Sequence, residues 1–325
     1  MDESRISRKK VVGFLKNAGI LWALVGMCII LGLLSDNFFK PLNIVTVLKQ
    51  ISILGIVALG STFVIISGGI DLSVGSIIAL SGICAAYIGQ VDSGYPLILA
   101  IAVAVAVGGA VGLFNGFCIA YGGIPPFIVT LGTMISIRGF ANLITDGKPI
   151  FNLAPEFADL VNYSVFQIGD VKVPAVIFFL IGTIIICSIL RYKTVFGKNM
   201  VAVGGNAEAA RFSGVNVKAV KMTVYLIAGL LAGLGGVLMA SRINSGNATV
   251  AVNIAMDAIA ASVIGGVSLS GGVGTVWKTI IGVLIIGVIL NGLQILGVSS
   301  FVQTIVQGLI IIAAVFLDVR THARA

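Results

Sequence analysis

Tyr95 to Ala120 reads YPLILAIAVAVAVGGAVGLFNGFCIA, without one charged side chain. A helix needs about 20 mainly apolar residues to cross the ~30 Å hydrocarbon core of a bilayer. A run this long with no polar face reads as a membrane span. Outward from it, 18–34, 51–67, 72–90, 126–144, 173–190, 219–241, 275–291 and 300–317 are of the same kind. A shorter apolar stretch, 253–267, lies between Asn253 and a glycine pair. The expected fold is therefore all-α and polytopic, about ten transmembrane helices in one domain over residues 1–325.

Composition points the same way. Of 325 residues 58% are hydrophobic and 10% charged, and the mean hydropathy is +1.14. Soluble domains carry roughly 25% charged residues, so this chain's outer face must be lipid. The 42 glycines suit close helix packing in membranes.

The net charge of +8 sits in short clusters beside apolar runs, with no basic face interleaved with aromatics, which argues against nucleic acid. The cluster Arg5, Arg8, Lys9, Lys10 and Lys16 precedes the first run, which ends in Ser35-Asp36-Asn37 with no small-x-small cleavage site, so that run reads as a retained helix. With a cytoplasmic N-terminus and ten spans, the outer side holds six basic residues: Lys40, Lys49, Arg138, Lys148, Lys172 and Arg242. The cytoplasmic side holds the other fourteen, among them Arg191, Lys193, Lys198, Arg211, Lys218 and Lys221. Omitting 253–267 would move Lys278, Arg320 and Arg324 outside, against the positive-inside rule. Ten spans with both termini cytoplasmic is the expectation. Cys28, Cys84, Cys118 and Cys187 lie in apolar runs, none forms a CxxC pair or neighbours the lone His322, and no metal site is expected.

Two polar loops interrupt the pattern. The outer one, 145–172, carries Asp146, Glu156, Asp159 and Asp170 and is a candidate meeting place for an external partner. The inner one, 191–221, is far longer than a helix connection needs. Within it Asn206 reads as an N-cap, Ala207 to Phe212 as a short helix and Gly214 as its stop. That is a compact part for another protein to grip; a plain connector is the alternative.

Gly68-Gly69-Ile70-Asp71-Leu72-Ser73-Val74-Gly75 recurs as Gly265-Gly266-Val267-Ser268-Leu269-Ser270-Gly271-Gly272. Both follow GG-[IV]-x-LS-x-G, and paired breaks in two halves of a transporter point to its pathway. Two glycine-rich cytoplasmic turns would fit equally. Candidate path residues are Gly68, Gly69, Asp71, Ser73, Gly265, Gly266, Ser268 and Ser270, with Asn115 and Asp257. Asp71 and Asp257 are the acids placed within or at the edge of spans, where charge is costly, and Asp71 is expected to cap the next helix. Asn115 and Asn291 read first as amides joining helices. No G-x-x-x-x-G-K-[ST] loop, proton-relay chain, Arg-rich span or catalytic constellation is present, and no cofactor is expected. A transport subunit driven by another chain, an ion-coupled secondary transporter or channel, and a membrane scaffold all remain open on these grounds.

The stretches SGGIDLSVGS (67–76), PFIVTLGT (126–133) with Arg138-Gly139, GKNMVAVGGNAEAARFSGVNV (197–217), DAIAASVIGGVSLSGG (257–272) and NGLQILGVSS (291–300) together resemble the permease subunits of bacterial sugar ABC importers, the ribose, xylose and galactose class. The likeness runs in order over nearly the whole chain, the last stretch being most like ribose permeases; Ala255-Met256 departs from relatives, which often carry an acid before Leu-Asp. The resemblance implies a homodimeric ten-helix channel in the bacterial inner membrane, served by a cytoplasmic ATPase subunit and a periplasmic sugar-binding protein, carrying a monosaccharide. It further implies that Gly204, Gly205, Asn206, Glu208, Ala209, Ala210, Arg211 and Gly214 couple to the ATPase and that the glycine-rich breaks flank the path.

Overall fold

A computed structural model describes residues 19–322, with side chains described for 19–316. Arg5, Arg8, Lys9, Lys10, Lys16 and Arg324, and the side chains of Arg320 and His322, lie outside the described residues. The helices are α1 (Gly19–Leu34), α2 (Pro41–Ile66), α3 (Val74–Ile88), α4 (Leu97–Ala120), α5 (Pro126–Thr145), α6 (Pro155–Asn162), α7 (Val176–Lys193), α8 (Val195–Gly205), α9 (Ala207–Phe212), α10 (Val217–Ile243), α11 (Ile254–Ile264), α12 (Val276–Ile295) and α13 (Ser300–His322). Six of these, α2, α4, α5, α7, α10 and α12, are long and apolar enough to cross a membrane, and α1, α3, α11 and Ser300–Phe316 of α13 are shorter apolar helices. All-α needs one correction. Between α6 and α7 the strands β1 (Ser164–Ile168) and β2 (Val171–Pro174) form an antiparallel hairpin turning at Gly169, which has φ +56°. The loop 145–172 is thus a folded cap, seated by Phe157 and Val161 of α6, both buried.

α10 lies at the centre, packed against α4, α3 and α2. The tightest seam is with α4, and glycine makes it possible. Gly108, Gly112 and Gly116 stand four apart on α4 and face Gly229, Gly233 and Met222 of α10. A Cβ on Gly112 would stand 2.9 Å from the Gly229 Cα, and one on Gly229 2.8 Å from the Gly112 Cα. With lipid as solvent no hydrophobic force drives helices together, so close backbone approach and interhelical hydrogen bonds must hold them. The bonds are present. Thr62 on α2 meets Ser262 on α11 at 3.0 Å and Thr279 on α12 at 2.9 Å. Asn291 exchanges amide bonds with Asn43 at 2.7 and 3.0 Å, the joining role expected of it.

α3 and α11 have 15 and 11 residues, ~22 and ~16 Å of helix at 1.5 Å per residue, short of the ~30 Å core. Before α11 the chain is not helical. Gly246 pairs with Ile150 in the cap and stands against Ala86 on α3, whereas the Ala251 carbonyl reaches Gly75 at the other end of α3. Residues 246–251 therefore run down beside α3 for most of its length. Helix-less backbone at membrane depth survives only where protein or a water-filled cavity satisfies it. Here Arg138 of α5 does so, donating from one guanidinium nitrogen to the carbonyls of Ala248 and, at 2.8 Å, Val250. Arg138 thus works from within a helix, where sequence reading counted it among outer basic residues. Arg138→Leu strands both carbonyls and is expected to destabilise the protein by about 2–4 kcal/mol, read as lost detergent-solubilised monodisperse protein; Arg138→Lys should recover part of it.

Candidate functional site

In the loop 191–221, α9 forms where its sequence suggested, and ahead of it stands α8, an 11-residue helix that the sequence did not signal. Asn206 caps α9, its Oδ1 accepting the Ala209 N–H at 2.9 Å. Gly214, at φ +84°, ends it, with the Gly214 N–H on Arg211 O and the Val215 N–H on Ala210 O, each at 3.0 Å. Ala210 is buried and pins this handle to the body, leaving Glu208, Ala209 and Arg211 exposed. Phe212 is 82% exposed, with the Arg211 guanidinium 5.6 Å from its ring centroid. Sequence reasoning omitted Phe212, because an aromatic residue in a short helix signals nothing until its exposure is known.

Both glycine-rich breaks end against the base of this handle. Gly68 closes α2 at φ +80°, with the Gly69 N–H on Val64 O at 2.9 Å; Gly266 closes α11 at φ +82°, with the Val267 N–H on Ser262 O at 3.0 Å. The left-handed glycine is the first of its pair in one copy and the second in the other, so the repeat is offset by one residue there. The turn that follows is equivalent: Asp71 Oδ1 accepts the Ser73 N–H at 2.9 Å and Ser268 Oγ the Ser270 N–H at 3.3 Å. The Gly272 N–H then donates to Ile66 O at 2.8 Å. Gly204 sits over that bond, where a Cβ would run into the Ile66 carbonyl and stand 2.7 Å from the Gly272 nitrogen. A Cβ on Gly271 would stand 2.6 Å from Gly204 O and 3.1 Å from the Gly68 Cα. The structure thus joins Gly68, Gly204 and Gly205 with Gly271 and Gly272, backbone on backbone. Gly69 turns away towards the Tyr225 hydroxyl, and Gly265 packs on the Lys278 carbonyl.

A second group is polar and buried. Asp71, 2% exposed, also accepts from Ser73 Oγ at 2.6 Å; it closes a turn onto Ser73 and does not cap α3 as expected, since Ser73 is itself the N-cap and no side chain caps that helix. Asn115 Nδ2 donates to Ser73 Oγ at 2.9 Å, and Thr133 Oγ1 to Asn115 Oδ1 at 2.7 Å. Thr133, Asn115, Ser73 and Asp71 therefore form one directed chain of hydrogen bonds across α5, α4 and the first break. Asp71 Oδ2 is buried without a partner. Thr133 opens on a mostly apolar groove of about 700 Å³ between α4 and α5; it was missed because threonine in an apolar span bonds its own helix by default.

Asp257 belongs to neither group. It lies in the first turn of α11, in a cavity of about 290 Å³ that also takes in Gln50, Arg242, Thr249 and Asn253. Gly265, Gly266, Ser268 and Ser270 are at the other end of that helix or beyond it.

A bundle of long apolar helices with an exposed handle seated on its helix breaks is the architecture of a membrane permease, and likeness to known proteins shows that class. The chain belongs to the family described as branched-chain amino acid transport system / permease component, which matches residues 43–315. Among its relatives, the ribose import permease protein RbsC of Bacillus subtilis (strain 168) is 43% identical over 311 residues, 96% of this chain and 95% of the relative. Its counterpart in Escherichia coli (strain K12) is 40% identical over 299 residues, 92% of each chain. The galactose/methyl galactoside import permease protein MglC of Escherichia coli (strain K12) is 37% identical over 334 residues, 99% of each. No solved structure matches.

Proposed function

We propose that this chain is the transmembrane subunit of an ATP-driven importer in a bacterial inner membrane, moving ribose or a related monosaccharide from periplasm to cytoplasm. Similarity to ribose and galactose permeases over at least 92% of the chain carries this reading and favours a sugar over the amino acids of the family's description. A cytoplasmic ATPase, a periplasmic binding protein and a second copy of the chain complete the machine. The six long and four shorter apolar helices account for ten crossings with both termini inside. The cap of α6 and the hairpin faces the binding protein, and α9 faces the ATPase.

What supports a coupling mechanism is the seating of Gly204, at the base of α9, on the glycine junction. ATP closure of the motor moves α9, and the glycine junction passes that movement to the ends of α2 and α11 together. The binding protein supplies affinity, so the channel needs only weak sugar contacts. Proteoliposomes holding the permease and its ATPase should accumulate ribose only with ATP and binding protein present. Accumulation on an ion gradient alone would instead establish a secondary transporter. Exposed aromatic anchors contribute about 2 kcal/mol or more at interfaces, so Phe212→Ala should weaken ATPase association roughly thirtyfold. Glu208→Ala with Arg211→Ala should uncouple hydrolysis from uptake while leaving the permease in the membrane. Unchanged uptake and unchanged ATPase recovery in these variants would remove α9 from the motor interface.

A further inference from the structure

The 290 Å³ cavity around Asp257 lies between α2, α10, the descending segment, α11 and α12. Its volume is near the low end for small-molecule pockets, the size for one small ring. Gln50 reaches it from α2, Arg242 from the last turn of α10, Thr249 and Asn253 from the descending segment and Asp257 from α11, over apolar walls that include Leu54 and Leu290. Among the described residues no hydrogen bond or ion pair engages the side chains of Gln50, Arg242 or Asp257. Polar groups withdrawn into an apolar bundle are costly unless something satisfies them. Ala251, on the cavity wall, holds φ +57° without being glycine, a conformation that persists only where surroundings enforce it and that clusters at binding sites.

The donor set selects its ligand. One carboxylate and one guanidinium lining the same cavity make a poor cage for a cation, and the carboxylate opposes an anion. A neutral polyol fits: each hydroxyl both donates and accepts, so it can give to Asp257 and receive from Arg242 and the amides, while its C–H face lies on the leucines. We propose that this cavity is a transit site for one monosaccharide ring, in which Asp257 accepts from and Arg242 donates to ring hydroxyls. The assignment rests on the sugar-import reading and adds the place where the permease itself holds the sugar. It gives the helix-less descent a purpose, since a helix in its place would fill the cavity.

The test uses the complete importer in proteoliposomes. Hydrogen bonds to charged groups are worth about a tenfold change or more. Asp257→Ala and Arg242→Gln should each lower ATP-driven ribose uptake about tenfold, with the ATPase activity elicited by loaded binding protein within about twofold of wild type. Uptake equal to wild type in both variants overturns the site. Should either variant fail to assemble, Thr249→Cys decides: a large excess of ribose should slow its labelling by an impermeant thiol reagent, measured over the wild-type background. Labelling unaffected by ribose, or slowed by leucine in its place, overturns the assignment. A wild-type importer that carries no monosaccharide would instead refute the sugar reading itself, so the two failures are distinct.

Discussion

Replacing Gly204 by valine is expected to abolish ATP-driven uptake while the permease still reaches the membrane. The new side chain would enter the space held by the Ile66 carbonyl and the Gly272 amide. Neither can swing aside, because they bond to each other at 2.8 Å. Backbone has no rotamers with which to yield, so the handle must tilt or the bond must part. Overpacking of this kind costs about 1–3 kcal/mol, which the remaining bundle tolerates, but it misaligns a joint whose purpose is alignment. Uptake should fall at least about a hundredfold, since small misplacements far from a working centre have effects of that order. Gly205→Ala, with nothing within 4 Å of its Cβ position, is the control and should retain uptake. Equal activity in Gly204→Val and Gly205→Ala would break the link between junction and coupling.

The second large effect is structural. Gly229→Leu on α10 would force apart the seam with α4, where its Cβ would run into the Gly108 carbonyl and stand 2.8 Å from the Gly112 Cα. The expected cost is about 3 kcal/mol or more, beyond ordinary overpacking, because the helices must separate along a line that also aligns Gly108, Gly112 and Gly116. Folded protein recovered in mild detergent should drop severely. Gly132→Leu on α5, where nothing lies within 4 Å, should be recovered like wild type. Comparable yields of the two would mean that the α4–α10 seam does not hold the bundle.

Helix existence was legible because each apolar run carries at most one charged side chain. The handle was legible residue by residue, since Asn206 and Gly214 are local signals whose chemistry needs no tertiary partner. The hairpin at 164–174 was not, because strands of five and four residues are too short to carry a clear alternation. The glycine patterns were visible, yet their meeting with Gly204 depends on contacts between residues far apart in the chain. Arg138 was visible as a charge on the outer side and as part of the family pattern, but its partners are two carbonyls, which have no sequence signature. Asn115 was visible as a polar residue in a span, but the bond from Thr133 that completes its chain to Asp71 joins two helices and has no local signal.

The brevity of α11 bears on how the chain is made. An 11-residue helix presents too little hydrocarbon to be retained in the bilayer when it first leaves the ribosome. The non-helical segment that leads into it is received by α3 and the guanidinium of Arg138, and α11 itself packs on α2 as well as on α12; α2, α3 and Arg138 are all synthesised well before it. The second half is thus inserted against a template laid down by the first, and a nascent chain lacking that template would leave residues 245–264 to the quality-control proteases.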